Sequence, residues 1–229
     1  YFYQNEYPVR LVGDEYNNIW FFAAGEVGVL RKLEDGTYSK VTNPFSPLKS
    51  QFVSSFEFVK VMNERNALFG VEDGFAHYTV NDSKDFLIPF NVHIRNFRSL
   101  NQEESYFFSS VPEQQNYKPV YDYASNWFEV EFSATSFEGA HVNYATFLEG
   151  FDTEWTPWST SQKRQFTKIH EGAYTFWVKA INIHGVETNP VGFYFEVDPP
   201  WFRTGVAKVM YLIIIVLLFI GAWYLLTWL

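Results

Sequence analysis

The sequence predicts an all-β protein that ends in one membrane-spanning α-helix. Over most of the chain, short apolar runs alternate with polar residues and are separated by Gly, Asn and Asp turns. Aromatic residues, which favour strands, make up 21% of the 229 residues. The last stretch, from Val209 to Leu229, is apolar and carries no charge in its 21 residues. These three observations together indicate β-domains followed by a membrane anchor.

The terminal stretch predicts how the chain meets a membrane. A helix rises about 1.5 Å per residue, so Val209 to Leu229 covers roughly the 30 Å hydrocarbon core of a bilayer and contacts lipid. The stretch is longer than the apolar region of a signal peptide and has no cleavage pattern after it. We therefore expect a single-pass protein whose residues 1–203 all lie on one side of the membrane. Arg203 and Lys208, close to the helix on that side, weigh weakly against its being the external side.

Composition excludes several function classes. The 26 acidic residues outnumber the 17 Lys and Arg, and the net charge of -9 gives no basic surface for nucleic acid. The chain contains no cysteine, which excludes disulfides, thiolate metal sites and cysteine nucleophiles. We expect no nucleic-acid binding by this chain.

Residues 1–85 show the pattern of short strands joined by tight turns. Asn18 and Phe21 recur as Asn66 and Phe69, 48 positions later, and a Gly-containing turn follows each pair. This offset is close to the roughly 40–50-residue period of β-propeller blades. We interpret residues 1–85 as the terminal blades of a propeller. Because a propeller needs about four to eight blades, this interpretation also predicts that the chain is a piece of a longer protein.

The polar run around residues 81–85 predicts a domain boundary, and residues 86–200 follow as a second β-domain. Its clearest strand runs from Trp127 to Ala134, where apolar residues alternate with Glu129, Glu131 and Ser133. The alternation predicts that these polar side chains are exposed. The domain's length is close to the roughly 100 residues of an immunoglobulin or fibronectin-III sandwich.

A second strand carries a more specific pattern. Tyr174, Phe176 and Val178 share one face of a predicted strand, and Gly172 lies two residues before the tyrosine. A glycine there permits a sharp corner, at which the tyrosine hydroxyl can donate a hydrogen bond back to the main chain. This pattern favours the sandwich.

Three segments, LEGFDTEW, FTKIHEGAYTFWVKAIN and DPPWFRT, followed by an apolar helix, resemble the three-Y domain of membrane-bound sensor regulators. The family includes hybrid two-component and related triple-tyrosine-motif transcriptional regulators of Bacteroidetes, in which this domain follows a sensor propeller. The third tyrosine of the family matches Tyr174. The second is replaced by Phe166, and the first position holds Thr146. The positions that carry the family motif are Tyr144, Gly150, Trp155, Phe166, Gly172 and Tyr174.

The resemblance implies a function in signal transduction. It implies the membrane-proximal part of an extracytoplasmic sensor in the bacterial inner membrane, with residues 1–203 in the periplasm. A glycan or an envelope protein would bind the rest of the propeller, and the sandwich would form a homodimer. Residues 201–229, the joint and the helix, would relay the signal to a cytoplasmic kinase or DNA-binding region. We expect Pro199, Pro200 and Trp201 to couple the sandwich to the helix, because two prolines restrict the backbone there. The alternative is a non-signalling envelope scaffold or docking subunit.

The sequence contains no recognisable catalytic, cofactor or metal motif. The five histidines are scattered, and no phosphate loop or nucleophile elbow occurs. We expect this segment not to be an enzyme. Trp155, Trp158 and Trp177 would form a sugar-stacking patch if their strands are adjacent. We predict instead that Trp155 belongs to the core, while Trp158 and Trp177 are candidates for an interface.

Overall fold

The computed structural model describes residues 8–23, 26–49, 51–53, 55–81, 84–100, 105–107, 118–137 and 142–228. The chain divides into two compact units. The first comprises Tyr1–Pro89, Phe137–His141 and Asn182–Val186, and the second comprises Phe90–Ser136, Val142–Ile181 and Glu187–Leu229. The predicted domain limits, 1–85, 86–200 and 201–229, remain predictions.

The first unit begins with a four-stranded antiparallel sheet whose strands follow in chain order. They are β1 (Pro8–Gly13), β2 (Ile19–Ala23), β3 (Glu26–Lys32) and β4 (Tyr38–Val41). Asp14 shapes the turn before β2, because its carboxylate accepts hydrogen bonds from the N–H groups of Tyr16 and Asn18 and from the Trp20 indole. Gly36, with φ of 84°, lies in the predicted turn between β3 and β4.

A three-stranded antiparallel sheet follows, with strands β5 (Phe58–Asn63), β6 (Asn66–Val71) and β7 (Gly74–Thr79) in that order. Its three strands have the same spacing along the chain as the first three strands of the first sheet. A shift by the 48 positions that separate Asn18 from Asn66 places β1, β2 and β3 on β5, β6 and β7. The recurrence noticed in two residues therefore extends over three successive strands.

Both sheets contribute to one aromatic core. Trp20 of β2 packs edge-on against Phe69 of β6, with ring centroids 5.6 Å apart. Phe45, from the short 3-10 turn Asn43–Leu48, lies 5.5 Å from the same Phe69 ring. Strand alternation places Phe21 on the other face of β2, in a smaller cluster with Leu30.

The second unit is a two-layer β-sandwich. Its strands are β8 (Val92–Ser99), β9 (Ser105–Phe107), β10 (Val120–Tyr121), β11 (Phe128–Ala134), β12 (Asn143–Glu149), β13 (Lys163–Phe166), β14 (Gly172–Ile181) and β15 (Val191–Val197). One sheet has the order β13-β11-β8-β9, and the other has the order β10-β15-β14-β12 with β10 parallel to β15. Strand β8 begins at Val92, shortly after Pro89, which cannot donate a ladder hydrogen bond.

The sandwich core fills the space between the two sheets with aromatic rings. Phe97 of β8 and Phe128 of β11 lie 4.8 Å and 5.2 Å from Phe195 of β15, and all three are fully buried. On β14, Tyr174 and Phe176 face the same core, as the alternation predicts.

One strand departs from the predicted alternation. Glu129 of β11 was expected to be exposed, but its side chain is only 1% accessible. Arg98 forms an ion pair with it, Gln165 donates to it at 2.5 Å, and the Lys163 amine lies 3.7 Å away. Burial acts to raise the pKa of Glu129, but the hydrogen bonds from Gln165 and Arg98 and the two positive charges outweigh burial and lower it. The alternation correctly placed Glu129 on the outer face of the sheet, but it did not predict that neighbouring side chains cover the carboxylate.

The chain ends in helix α1 (Gly205–Trp228). By length and composition this helix can cross a membrane, and its apolar stretch is exposed. The predicted fold class, an all-β chain with a sandwich and one C-terminal helix, is confirmed.

Candidate functional site: the joint between the sandwich and the helix

Backbone hydrogen bonds hold both ends of the segment between β15 and α1. Asp198 donates its N–H to the Tyr121 carbonyl at 2.8 Å, so the chain beyond β15 stays attached to β10. After Pro199 comes Pro200, which is buried. Arg203 then donates its N–H to the Pro200 carbonyl at 2.8 Å and closes a 3-10 turn, Trp201–Arg203. The predicted coupling segment is therefore a short, ordered connection.

Thr204 joins this turn to the helix. Its hydroxyl donates to the Trp201 carbonyl at 2.7 Å and accepts the N–H of Ala207 at 3.3 Å. The second contact satisfies one of the unpaired N–H groups of the first helical turn, as an N-cap does. Trp201 itself is 77% exposed. The turn thus ends where the helix starts, without an intervening flexible residue.

An ion pair connects the base of the helix to a distant part of the sandwich. The Arg203 guanidinium lies 2.6 Å from a carboxylate oxygen of Glu171, just before β14. This hydrogen bond is the main reason that the pKa of Glu171 is lowered. Glu171 precedes Arg203 by 32 residues, so the pair ties the helix to a second strand besides the one that leads into it.

The corner that carries Glu171 is itself held in place. The Tyr174 hydroxyl donates to the His170 carbonyl at 3.0 Å, which is the predicted tyrosine corner. Gly172 has φ of 152°, and Gly150 has φ of 91° with its Cα facing the Tyr174 ring. A Cβ on Gly150 would lie 3.1 Å from the Tyr174 ring, so a larger residue would crowd the corner. Glu171 therefore has a fixed position from which to meet Arg203.

The remaining motif positions lie inside the sandwich. Tyr144 is buried, and its hydroxyl accepts the Ala134 N–H at 3.2 Å across the two sheets. Phe166, where the family has its second tyrosine, is buried against Phe176 with ring centroids 5.9 Å apart. Thr146, at the first position, is also buried. These residues pack the core that supports the corner.

An internal ion pair near these positions was missed by sequence reasoning. Arg164 of β13 makes two 2.8 Å hydrogen bonds with the carboxylate of Asp152, which follows β12. It also donates to the Thr146 hydroxyl at 3.1 Å. Arg164 shares a strand face with the buried Phe166, and an arginine on a core-facing position is a signal that could have identified the pair.

The three predicted tryptophans lie on the outer side of the β12-β14-β15 sheet. We call this surface the aromatic face; it consists of Phe147, Trp155, Trp158, Trp177 and Lys179. The Lys179 amine lies 5.0 Å from the Trp155 ring and 5.1 Å from the Trp158 ring, so one cation sits between two rings. Lys179 also bonds Glu187 at 2.7 Å.

The prediction that Trp155 belongs to the core is wrong. Its ring is half-buried outside the core cluster and lies 5.8 Å from Phe147. Trp158 is 41% exposed. Trp177 alternates away from the Tyr174 face as expected, and its ring lies against Gly192 on the neighbouring strand β15. The structure therefore brings the three rings onto one sheet face.

The helix ends carry aromatic rings. Trp201 and Phe202 precede α1, and Trp223, Tyr224 and Trp228 lie in its last turns, all of them exposed. Tryptophan and tyrosine are enriched at both membrane–water interfaces. In the part of the chain that the structure describes, no three His, Asp or Glu side chains come together in a group that could hold a metal ion.

No family model matches the chain, and no curated protein matches it significantly. Its fold is similar to the extracellular domain of a B. thetaiotaomicron protein described as a hybrid two-component system. That comparison has a TM-score of 0.54 and 18% identity, and it covers 84% of this chain and 26% of that one. A second extracellular domain from the same organism, described as a one-component system, matches with a TM-score of 0.40 and 15% identity over 85% of this chain and 31% of that one. The chain thus spans about a quarter of the first structure's length, and the likeness concerns the fold alone.

Proposed function

We propose that this chain is the membrane-proximal part of an extracytoplasmic sensor, in which a three-Y sandwich relays a binding event to a single transmembrane helix. In this proposal residues 1–203 lie in the periplasm and the helix crosses the bacterial inner membrane. The three-Y sequence pattern and the fold likeness to an extracellular domain of a two-component system support it. A glycan or an envelope protein would bind the rest of a propeller to which the first unit belongs.

The observation that carries the proposal is the double attachment of the helix. A relay through one helix requires that a displacement of the sandwich reach the helix without being absorbed between them. Here the helix follows β15 through an ordered proline turn, and Arg203 holds it to Glu171 beside β14. A helix that served only as a membrane anchor would need neither the proline turn nor the ion pair.

The proposal includes two copies of the chain. A single helix transmits little by itself, whereas two helices whose spacing or rotation changes can bias a cytoplasmic kinase or DNA-binding region. The aromatic face, with its half-exposed Trp158, is the surface on the sandwich that suits such a homodimer.

Replacement of Pro199-Pro200 by Gly-Ser in the full-length protein tests the relay. The measurement is the transcript profile of host cells grown on a panel of single carbon sources. Gene deletion is expected to abolish the regulation of a restricted gene set, and the Gly-Ser variant is expected to abolish at least about 90% of the same response, because a flexible pair absorbs motion. Arg203→Ala is expected to weaken the response in the same direction.

Asn189-Pro190→Gly-Ser is the matched control, since it removes an exposed proline from the loop before β15 and leaves the joint intact. It is expected to regulate like the wild type, and membrane abundance of both variants is measured by immunoblot. A joint variant that is present and regulates normally would exclude the relay. A gene deletion that changes no transcripts would instead favour the envelope scaffold.

A further inference from the structure

The segment that leads into the membrane-spanning stretch carries positive charge in an acidic chain. From Pro199 to Leu229 the only charged residues are Arg203 and Lys208, whereas the whole chain has a net charge of -9. Positive charge beside a membrane helix is usually found on the cytoplasmic side, so a periplasmic position does not explain these two cations. The relay gives Arg203 a role through Glu171 but leaves Lys208 without one.

The length of α1 places this segment among the lipid headgroups. The uncharged stretch from Val209 covers the hydrocarbon core, and α1 begins at Gly205, four residues or about 6 Å further out. The headgroup layer on each side of a bilayer is roughly 5–8 Å thick. Gly205 and Lys208 therefore lie within this layer, and the turn Trp201–Arg203 borders it.

The side chains at this level are open to their surroundings. Trp201 is 77% and Phe202 is 44% exposed, and Lys208 is exposed as well. The Arg203 side chain is 54% exposed, although its Nη1 donates a hydrogen bond to Glu171. Because a guanidinium has five N–H donors, Arg203 can hold Glu171 and a phosphate oxygen at the same time.

We infer that Arg203 and Lys208 bind the headgroup of an anionic phospholipid, so that the sandwich corner with Glu171 rests on the membrane surface. The bilayer that α1 crosses is continuous with this surface and supplies the ligand. An anionic headgroup has a net negative charge that two cations complement, whereas the phosphate of a zwitterionic headgroup is offset by its own amine. The inference goes beyond the proposed function, because an envelope scaffold with this segment would bind the same lipid.

Native mass spectrometry of the full-length protein in a non-ionic detergent measures the lipid preference. Dioleoyl phosphatidylglycerol competes with dioleoyl phosphatidylcholine, and the phosphatidylglycerol is expected to bind preferentially. One cation near an anionic lipid surface is worth about a fivefold change in affinity, so Arg203→Gln and Lys208→Gln should each lower the preference about fivefold. Lys60→Gln, which removes an exposed cation from β5, is the matched control and should leave the preference unchanged.

Two further measurements on the same protein test the site itself. Glu171→Gln removes the acid beside Arg203 and should increase the preference for phosphatidylglycerol, because less negative charge then opposes the lipid phosphate. Inorganic phosphate should not displace the lipid, since acyl chains beside the helix also hold it. Equal binding of the two lipids, displacement by phosphate, or an effect of Lys60→Gln as large as that of Lys208→Gln would overturn the inference.

Photocrosslinking in nanodiscs that contain both lipids tests the position of this surface independently. Benzoylphenylalanine replaces Trp201 in the full-length protein, and mass spectrometry is expected to find a phospholipid adduct there. Trp158 carries the same group as the control; it lies beside Lys179, which is seven residues or about 23 Å along β14 from Gly172 at the corner, and it should give no lipid adduct. No adduct at Trp201, or an equal yield at Trp158, would contradict the inference. None of these measurements depends on transcription, so failure here and failure of the relay are separable.

Discussion

The two outer faces of the sandwich differ in chemistry: one carries paired charged side chains, and the other carries aromatic rings. On the β13-β11-β8 sheet, Glu129 is buried and bonded to Arg98 and Gln165. On the β12-β14-β15 sheet, aromatic rings lie around Lys179, and Trp158 remains 41% exposed. We call the first surface, which consists of Arg98, Glu129, Glu131, Lys163 and Gln165, the ionic face.

The difference suggests a division of roles. A buried carboxylate is tolerated only when it is paired and hydrogen-bonded, as Glu129 is by Arg98 and Gln165, so the ionic face acts chiefly in stability. On the aromatic face, the tryptophan rings around Lys179 cover only part of each other's apolar surface. Burying the exposed remainder against another surface would be favourable. We therefore expect substitutions on the ionic face to affect folding more than equivalent ones on the aromatic face.

The largest effect is expected for Glu129→Ala. Arg98 and Gln165 lose their acceptor, and the free energy of unfolding should fall by about 1.5–3 kcal/mol, the usual range for hydrogen bonds to a charged group. Urea unfolding in detergent micelles, followed by tryptophan fluorescence, measures the change. Glu131→Ala is the matched control on the same strand; its side chain is 41% exposed and lies 3.8 Å from Arg98, so it should lose less than about 0.5 kcal/mol. Equal losses would remove the distinction between buried and exposed acids on this face.

The same carboxylate predicts a pH dependence. The pKa of Glu129 is below its ordinary value of 4.5, so the ionised form favours the folded state. Its contribution is fully present above about pH 5 and is lost as the pH falls through the folded-state pKa. The stability difference between the wild type and Glu129→Gln should therefore be greatest near neutral pH and shrink in acid. A stability difference between the wild type and Glu129→Gln that grew in acid would contradict this prediction.

A smaller effect is expected for Gly192→Ala on the aromatic face. A Cβ there would lie 2.6 Å from the Trp177 ring, so the ring must move, and a loss of about 1–2 kcal/mol is expected. Gly13→Ala, at an exposed strand end with open space around it, is the control and should be near neutral. In the double variant Gly192→Ala with Trp177→Ala, the loss should be smaller than the sum of the two single losses, as a double-mutant cycle in urea would measure. If the two losses were strictly additive, the Trp177 ring would not contact position 192.

The smallest effect is expected for Lys179→Met. The substitution keeps the length of the side chain but removes the cation between Trp155 and Trp158, for a loss of about 0.5–1 kcal/mol. The urea midpoint measures this loss, and Lys163→Met on the ionic face, where the amine lies 3.7 Å from Glu129, is its counterpart. A loss from Lys179→Met as large as that from Glu129→Ala would show that the aromatic face also acts chiefly in stability.

Local patterns identified much of this fold because their signals are short in range. Alternation in β14 placed Tyr174 and Phe176 in the core, and Gly172 marked the tyrosine corner. The uncharged run after Val209 predicted the helix. At the candidate site, Pro199-Pro200 indicated the joint between the sandwich and the helix, but no local pattern indicated that Arg203 meets Glu171.

The sequence by itself determined the β-rich character of the chain, strands such as β11 and β14, and the terminal helix, because periodicity and turn residues act over a few neighbours. Only the tertiary structure decided which outward side chains are covered and which distant charges meet. Glu129 is buried because strands β8 and β13 bring Arg98 and Gln165 beside it. Arg203 reaches Glu171 across 32 residues because the corner and the helix base come together in the fold. Pairings of this kind depend on long-range packing, and alternation along one strand contains no information about it.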